Sequence, residues 1–356
     1  MKPKKDPVVI GEYGSFTGSE STFGINTHRG VMLAVDEQNE KGGINGQKID
    51  VVTKDNGSDD SRVAAGVKEL IEPHNVLAFI GEVVTNRSMA GAPIAQAAGV
   101  PMVSTSSTHP KVILVGDYIF RACFIDPFQG YVMAKFARET LKVSKVAILT
   151  EETSEYSLGL SKNFRETFVK LGGTITTEKF YRTGERDFRK QLTPIKATKP
   201  EAMFIPGYYT DTALISRQIK QLGIKTFLMG GDGWNSSKLI EIGRDAVNGA
   251  YFTRAFFKES SEPFVKEFVS KYRQKWGEDP DGPAALAFDT ARMVIDSMLR
   301  APTLTRKAIR DEIAKTKNFP GVTGNITMTA DRNPDKPAIV MRVDGATFRY
   351  VTTVTP

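Results

Sequence analysis

The chain alternates short apolar runs with longer amphipathic segments, and this alternation begins near the N-terminus. Residues 8–13 and 49–54 are apolar enough for buried strands, and residues 27–39 place Val31, Ala34 and Val35 along one side of a helix. Strands that alternate with amphipathic helices are typical of a parallel sheet covered by helices. The first third of the chain is therefore predicted to be a doubly wound α/β unit.

The same pattern restarts after Cys123 and indicates a second unit of the same kind. Helices are predicted over 128–141, 156–171, 187–197 and 211–222, and strands over 145–150, 174–181, 202–206 and 227–230. Three further helices are predicted over 263–276, 283–300 and 305–317. The chain then closes with a hairpin, residues 338–343 and 348–354, around Asp344-Gly345.

The length of the chain also favours two lobes, because a single core rarely grows beyond about 250–300 residues and this chain has 356. No Pro/Ser-rich linker separates the halves, so several short crossings are expected to join them and to serve as a hinge. The fold class predicted is α/β, with two doubly wound, Rossmann-like lobes joined by hinge crossings.

Charge and composition exclude several classes of protein. The 48 basic residues are interleaved with 41 acidic ones, which favours solvated surface charge over nucleic-acid binding. Cys123 is the single cysteine, and the three histidines lack metal-ligand spacing, so neither a disulfide nor a metal site is expected. No apolar run reaches the roughly 20 residues that span a bilayer. Residues 1–7 are basic but do not form a complete signal peptide, which fits either a cytoplasmic protein or the mature form of a secreted one.

Motifs for catalysis and cofactor binding are missing from the sequence. There is no G-x-S-x-G elbow, no G-x-x-x-x-G-K-[ST] loop, and no G-x-G-x-x-G after the first strand. Gly42-Gly43-Ile44-Asn45-Gly46 follows a helix and precedes a strand, so it is interpreted as a helix end and a turn. No enzyme activity and no cofactor are predicted.

Polar loops follow the predicted strands of the first half, at the place where open α/β sheets bind ligands. These loops are residues 17–24, 83–88 and 104–110, and they are rich in hydroxyl side chains. Hydroxyl groups and free backbone N–H groups suit a carboxylate, which accepts several hydrogen bonds. The first half is therefore expected to hold the acidic end of a ligand.

The loops of the second half have the opposite character. Residues 155–157, 206–209 and 230–234 follow strands, and Asp232 lies among glycines in the last of them. A carboxylate can pair with an ammonium group, and a tyrosine ring can face the same cation. Taken singly, an aspartate here is more often a helix cap and a Ser/Thr run more often a turn, but the combination predicts a site for a zwitterion.

The chain resembles the amino-acid-binding branch of the type I periplasmic solute-binding proteins, the leucine/isoleucine/valine-binding family that serves ABC transporters. The resemblance extends over nearly the whole chain. Its markers are Gly30, Lys41 to Gly46, Gly81, Phe120-Arg121, Asp126-Pro127-Phe128-Gln129-Gly130, Tyr156, Gly207-Tyr208-Tyr209 and Gly230-Gly231-Asp232-Gly233.

The resemblance implies ligand-binding roles for ten residues. Thr85, Ser106, Ser107 and Thr108 would bind the ligand carboxylate, Asp232 would bind the ammonium beside Tyr156 and Tyr208, and Phe23, Val83 and Val84 would line the side-chain pocket. It also implies a first lobe of residues 1–126 and 256–335 and a second lobe of residues 127–255 and 336–356.

This sequence departs from the family in ways that concern the ligand more than the fold. The acid of the second lobe is often glutamate, whereas here it is the shorter Asp232, and the aromatic residue often found after Gly282-Pro283 is here Ala284. Glu82 and Arg87 add charge close to the pocket loop.

The function implied is that of a monomeric, extracytoplasmic protein that captures an aliphatic or aromatic amino acid between its lobes and delivers it to a membrane ABC permease. Two alternatives stay open at this point. The chain could be the ligand-sensing domain of a regulatory system, because the same fold occurs in amide sensors and receptor ectodomains. A two-lobed α/β enzyme is the other, and the absent nucleophile, metal and cofactor motifs argue against it.

Overall fold

The structure, a computed structural model, describes residues 6–356. Residues 1–5, which include most of the basic N-terminal segment considered above, lie outside the described residues. The chain divides into two compact units. Unit 1 comprises Met1–Phe124 and Phe256–Lys336, and unit 2 comprises Ile125–Ala255 and Pro337–Pro356. The chain therefore passes from one unit to the other three times.

The helices and strands follow the chain in this order. Up to Phe124 they are β1 (Val8–Gly14), α1 (Ser21–Glu40), β2 (Ile49–Asp55), α2 (Val63–Ile71), β3 (Ala78–Ile80), α3 (Thr85–Ala97), β4 (Met102–Ser104) and β5 (Ile119–Arg121). Up to Ala255 they are α4 (Asp126–Lys135), β6 (Lys145–Glu151), α5 (Glu155–Lys170), β7 (Thr174–Tyr181), α6 (Arg189–Ala197), β8 (Ala202–Phe204), α7 (Tyr209–Gln221), β9 (Phe227–Gly230), α8 (Ser237–Gly243) and β10 (Tyr251–Arg254). The remainder are α9 (Pro263–Trp276), α10 (Gly282–Arg300), α11 (Arg306–Ala314), β11 (Ala338–Asp344) and β12 (Thr347–Val354).

Unit 1 is built on a parallel sheet with strand order β2-β1-β3-β4-β5. Alternate residues of its strands face opposite sides. Ile80 and Val103 pack in the cluster that includes α1, α9, α10 and α11, whereas Phe79 and Met102 pack with α2 and α3. Both faces of the sheet are thus buried under helices, as expected for a doubly wound unit.

Two glycines of α1 allow close packing inside unit 1. A Cβ on Gly30 would lie 2.1 Å from the Ala284 carbonyl oxygen, so this glycine lets α1 approach α10 closely. A Cβ on Gly24 would lie 2.1 Å from the Ser15 carbonyl oxygen, next to the end of β1. The prediction that α1 begins at Thr27 was wrong, because the helix starts at Ser21 and uses Gly24 in its first turn.

Unit 2 is built on a seven-stranded sheet with the order β12-β11-β10-β9-β8-β6-β7. Strands β6 to β10 are parallel, and β11 and β12 join antiparallel as a hairpin. The predicted C-terminal hairpin is confirmed. The prediction of one helix over 128–141 needs correction, since α4 ends at Lys135 and a single π-helical turn, Phe136–Thr140, follows it.

Candidate ligand-binding residues

The candidate residues of both units lie just beyond the carboxyl ends of parallel strands. In unit 1, Val83 and Val84 follow β3, and the hydroxyl run from Thr105 to Thr108 follows β4. In unit 2, Tyr156 lies in the first turn of α5 after β6, and Asp232 follows β9. Open α/β sheets bind their ligands at this edge, so the topology gives each unit one candidate group of residues.

The hydroxyl run of unit 1 contains side chains of two kinds. Within residues 6–356, the buried hydroxyl oxygens of Thr105, Ser106 and Thr108 have no hydrogen-bond partner. Ser107 differs, because its Oγ donates to the Val83 carbonyl at 3.0 Å and lies 2.7 Å from the Ser88 Oγ. A buried polar group without a partner is unusual in a folded protein and needs an explanation, such as a ligand or a bound water. Ser106 and Thr108 are thus available to an exogenous acceptor, whereas Ser107 holds the loop.

The three apolar candidates of unit 1 are buried. Phe23 in the first turn of α1 is 3% exposed, and Val83 and Val84 are 8% and 4% exposed. Val84 has an extended backbone and precedes the first residue of α3, Thr85, whose side chain is also buried. The segment 83–88 was expected to be a loop, but α3 begins at Thr85. Val83 and Val84 therefore precede the N-terminus of α3 directly.

Glu82 and Arg87, expected to add charge near the pocket loop, belong to a buried polar network in unit 1. Glu82 accepts hydrogen bonds from the Ser15 Oγ and the Asn56 Nδ2, both at 3.0 Å, and from the Val84 N–H. The Arg87 Nη2 lies 2.8 Å from the Glu20 Oε2, and its Nη1 lies 3.9 Å from the Glu82 Oε1. The single guanidinium of Arg87 is thus shared between two buried carboxylates of the unit.

The pKa values of this network reflect burial and mutual pairing. Burial raises the pKa of Glu82 above its ordinary value, and the charge of Arg87 opposes that rise. Burial alone would lower the pKa of the Arg87 guanidinium, but the carboxylates of Glu82 and Glu20 raise it instead. The N–H group of Val84 is fixed by Glu82, so the network positions the loop that carries the apolar candidates.

Asp232 is held by the side chains of Tyr156 and Gln129 in unit 2. Its Oδ1 accepts a hydrogen bond from the Tyr156 hydroxyl at 3.0 Å, and its backbone N–H donates to the Gln129 Oε1 at 2.6 Å. The Tyr156 oxygen in turn accepts from the Gly233 N–H at 3.0 Å. Burial raises the pKa of Asp232 from 3.8 to about 6, although the hydrogen bonds from Tyr156 and Gln129 oppose this rise. At neutral pH the carboxylate is ionised, and it lacks a cation among these partners.

The aromatic candidates of unit 2 form one stack beside Asp232. The rings of Tyr156 and Tyr208 lie 5.1 Å apart between centroids, with an angle of 21° between their planes. The glycines around Asp232 make room for this stack, because a Cβ on Gly231 would lie only 2.4 Å from the Tyr156 hydroxyl oxygen. The glycine-rich sequence at 230–233 is therefore a consequence of close packing against Tyr156.

Gln129 is a functional candidate that the sequence did not single out. Its Oε1 accepts from the Asp232 N–H and also from the Thr253 hydroxyl, so it connects α4, β10 and the turn after β9. The only signal was its position in the Asp126-Pro127-Phe128-Gln129-Gly130 marker of the family resemblance. Its partners are 103 and 124 residues away in the chain. Local sequence patterns do not reveal such distances.

Residues 6–356 contain no group of three or more His, Cys, Asp or Glu side chains placed to hold a metal ion. Within that range no helix is both long and apolar enough to cross a bilayer.

Two α/β units with parallel sheets, each with polar candidate residues at the carboxyl edge, are the architecture expected of a type I periplasmic solute-binding protein. A family model described as periplasmic binding protein matches residues 7–347. The chain belongs to this family, in its leucine/isoleucine/valine-binding branch.

Several relatives show the same similarity over nearly the full length. A leucine-binding protein from Thermotoga maritima is 37% identical, with a TM-score of 0.94 and coverage of 98% of this chain and 99% of its own. A branched-chain amino acid substrate-binding protein from Streptococcus pneumoniae, solved in complex with isoleucine, is 33% identical, with a TM-score of 0.93 and coverage of 98% and 100%. A leucine-, isoleucine-, valine-, threonine- and alanine-binding protein from Pseudomonas aeruginosa is 25% identical over 90% of this chain and 85% of its own.

Proposed function

We propose that this protein is an extracytoplasmic, monomeric solute-binding protein that captures an L-amino acid with an aliphatic or aromatic side chain and delivers it to an ABC permease. The family to which the chain belongs supports this class of function. The observation that carries the choice of ligand is the opposite chemical character of the two groups of candidate residues. Among residues 6–356, unit 1 offers hydroxyl donors without partners, and unit 2 offers a carboxylate that is paired with no cationic side chain.

In this proposal the ligand carboxylate binds the hydroxyl groups of Ser106 and Thr108 together with Thr85. Hydrogen bonds to an ionised acceptor are about twice as strong as those between neutral groups, so donors left without partners in the protein suit an anion well. Ser107, which was also expected to bind the carboxylate, acts by fixing the loop through its bond to the Val83 carbonyl.

The ligand ammonium binds Asp232 in this proposal. The Tyr156 hydroxyl donates to the Asp232 Oδ1 and fixes the orientation of the carboxylate, so that the ligand ammonium adds a charged partner to a carboxylate already held in place. The stacked rings of Tyr156 and Tyr208 present π faces beside the same group, and aromatic faces attract cations. The ligand side chain would then pack on Phe23, Val83 and Val84.

The test is calorimetric titration of protein that has been unfolded and refolded to remove bound ligand. L-leucine, L-isoleucine, L-valine and L-phenylalanine would be compared with 4-methylpentanoate, which lacks the amine of leucine, and with leucinamide, which lacks the carboxylate. We expect tight binding of at least one amino acid and a loss of at least about tenfold for each analogue, since each leaves a buried group unpaired.

The roles of the two groups can be separated by pairing variants with analogues. Asp232→Asn should lose its preference for leucine over 4-methylpentanoate, and Thr108→Val should narrow the preference for leucine over leucinamide. Asp245→Asn, an exposed carboxylate of unit 2 paired with Lys220, is the matched control and should bind like the wild type. Equal binding of leucine and 4-methylpentanoate by the wild-type protein would refute the amino-acid proposal.

Delivery to the permease needs a separate test. The purified protein should stimulate amino-acid uptake by vesicles that contain the cognate permease.

A further inference from the structure

Among the described residues, the excess of positive charge lies entirely in unit 2. Residues 6–124 and 256–336 of unit 1 have 23 basic and 26 acidic residues, whereas unit 2 has 22 basic and 15 acidic residues. Unit 2 therefore has a formal charge of +7, and the described part of unit 1 has a formal charge of −3. A charge imbalance of this kind on one compact unit points to a surface that contacts an anionic partner.

Much of this excess lies at one end of the unit 2 sheet, where the parallel strands begin. The starts of these strands lie side by side, since the Thr174 N–H donates to the Ser144 carbonyl, the Glu201 N–H to the Lys145 carbonyl and the Phe227 N–H to the Glu201 carbonyl. The helices of a parallel α/β unit run back to this end and terminate there. The ligand-binding candidates lie at the opposite ends of the strands.

Six exposed lysines at this end define what we call the lysine face. They lie in the last turn of a helix, in the segment that leads into the next strand, or at the first position of a strand: Lys142, Lys145, Lys170, Lys196, Lys199 and Lys225. Acidic side chains at this end are fewer than the basic ones, and they include Glu139 and Asp245, which pair with Lys135 and Lys220. Glu201 is one of them, and its carboxylate accepts hydrogen bonds from the backbone N–H groups of Ser144 and Lys145.

Helix dipoles explain only part of this arrangement. A lysine in the last turn, such as Lys170 or Lys196, is favoured by the partial negative charge of a helix C-terminus. That effect does not account for Lys142, Lys145 and Lys225, which lie outside the helices. The same end therefore carries more positive charge than the fold of unit 2 requires.

Two arginines of the C-terminal hairpin add positive charge at the same end. Arg342 of β11 and Arg349 of β12 are direct partners in the antiparallel register, and like charges directly opposite each other destabilise a strand pair. The guanidinium of Arg342 lies 6.0 Å from the centre of the Tyr251 ring, and Arg349 pairs with Asp344. Both arginines are exposed and extend the positive surface to the hairpin.

Two apolar side chains project from the same end. Val169, next to Lys170, is 52% exposed, and Phe227, at the start of β9, is 46% exposed. Exposed apolar residues among lysines are typical of surfaces that rest on a lipid headgroup layer, because the apolar groups enter the layer and the amines contact its phosphates. A discrete phosphate pocket is disfavoured here, since this end presents helix C-termini and not the N–H groups of helix N-termini.

We propose that the lysine face of unit 2, with Val169 and Phe227, binds the surface of an anionic phospholipid membrane. Such binding keeps the protein close to the bilayer while the ligand-binding ends of the strands stay uncovered. The charge is spread over the starts of several strands, which matches a layer of separate headgroups better than a single ligand. The proposal does not depend on which ligand the protein captures.

The test is co-sedimentation of the full chain with lipid vesicles. Vesicles of pure phosphatidylcholine would be compared with vesicles that contain about one third phosphatidylglycerol, at low ionic strength and at about 0.5 M salt, where exposed charges are screened. We expect binding only to the anionic vesicles at low salt. Each basic residue near an anionic surface contributes about fivefold to the partition coefficient, so Lys142→Glu/Lys170→Glu/Lys199→Glu should lower it by more than about a hundredfold.

A second charge-reversal variant, with the same change in net charge at a different place, distinguishes the effect of the lysine face from the effect of net charge. Lys68→Glu/Lys266→Glu/Lys317→Glu makes the same change at exposed lysines of unit 1 and should reduce binding far less. For the neutral variant Lys142→Gln/Lys170→Gln/Lys199→Gln, the logarithm of the partition coefficient should fall by roughly half as much as for the charge reversal. Ligand titration and thermal unfolding of each variant confirm that it is folded.

Three results would overturn the proposal. They are an equal loss of vesicle binding in the two charge-reversal variants, binding of the wild-type protein to pure phosphatidylcholine, and no binding of the wild-type protein to anionic vesicles at low salt. Stronger retention by duplex DNA of equal phosphate content would also overturn it, in favour of a nucleic-acid partner.

Discussion

Replacement of Asp232 by asparagine should weaken ligand binding and stabilise the ligand-free protein at the same time. The substitution keeps the size of the side chain and leaves an oxygen to accept the Tyr156 hydroxyl, so it removes the charge and little else. The pKa of Asp232 rises from 3.8 to about 6 in the folded protein because burial disfavours the charged form. The folded state therefore holds this carboxylate at an energetic penalty when it is ionised.

The penalty depends on pH in a defined direction. A pKa raised from 3.8 to about 6 corresponds to about 3 kcal/mol, and partial exposure of the side chain reduces this to about 1–2 kcal/mol. It is fully present above pH 6, where the folded carboxyl is ionised, and absent below about pH 4, where the unfolded carboxyl is also protonated. Asp232→Asn should thus raise the free energy of unfolding by about 1–2 kcal/mol at pH 7.5 and change it little at pH 4.

The effect on affinity has the opposite sign. An ammonium that loses its buried carboxylate partner costs about 2–5 kcal/mol, which is about 30-fold to several thousand-fold in the dissociation constant. In the wild type, affinity should also fall by about tenfold for each pH unit below 6, whereas the affinity of the variant should be nearly independent of pH in that range.

Urea unfolding of refolded, ligand-free protein and calorimetric titration of the amino acid, each at several pH values, measure both effects. A variant that binds as tightly as the wild type would refute the role of Asp232. A variant that is less stable than the wild type at pH 7.5 would refute the energetic argument.

Three further substitutions test other parts of the structure. Thr108→Val should leave ligand-free stability unchanged or slightly higher, because the buried hydroxyl has no partner within residues 6–356, and should weaken binding about tenfold by calorimetry. Arg87→Met should lower the free energy of urea unfolding by about 3–5 kcal/mol, because Glu82 is left buried without its cation; a loss below about 1 kcal/mol would contradict that reasoning. Gly231→Ala should weaken ligand binding by at least about tenfold, since its Cβ would displace the Tyr156 hydroxyl, and unchanged affinity would refute this steric role.

The sequence predicted the fold well wherever a segment carried a clear period. Helix α9 begins at Pro263 and ends at Trp276 as predicted, because it has a proline at its start and Gly277 in a left-handed conformation directly after it. The strand β10 was missed, since it has only four residues, Tyr251–Arg254, and its buried Thr253 and Arg254 hide the apolar signal. Short strands that depend on neighbours distant in sequence give no local pattern to detect.

The candidate site was predicted as a set of residues but not in its internal division of roles. Ser106, Ser107 and Thr108 are adjacent hydroxyl residues, and only the backbone of the loop decides which side chain turns into the protein. The sequence could not distinguish the structural role of Ser107 from the open hydroxyls beside it. Glu82 and Arg87 likewise appear in sequence as two isolated charges, although they share one buried network.

The division of each unit between separate segments has a consequence for biosynthesis. Unit 1 needs α9, α10 and α11 to cover one face of a sheet whose strands all precede Phe124, and Asn26 in α1 donates a hydrogen bond to Asp281, 255 residues later. Unit 2 completes its sheet only when β12 has been made. A nascent chain that has emerged as far as Ala255 therefore has neither core closed, so both units can finish folding only after the C-terminal segments have been made.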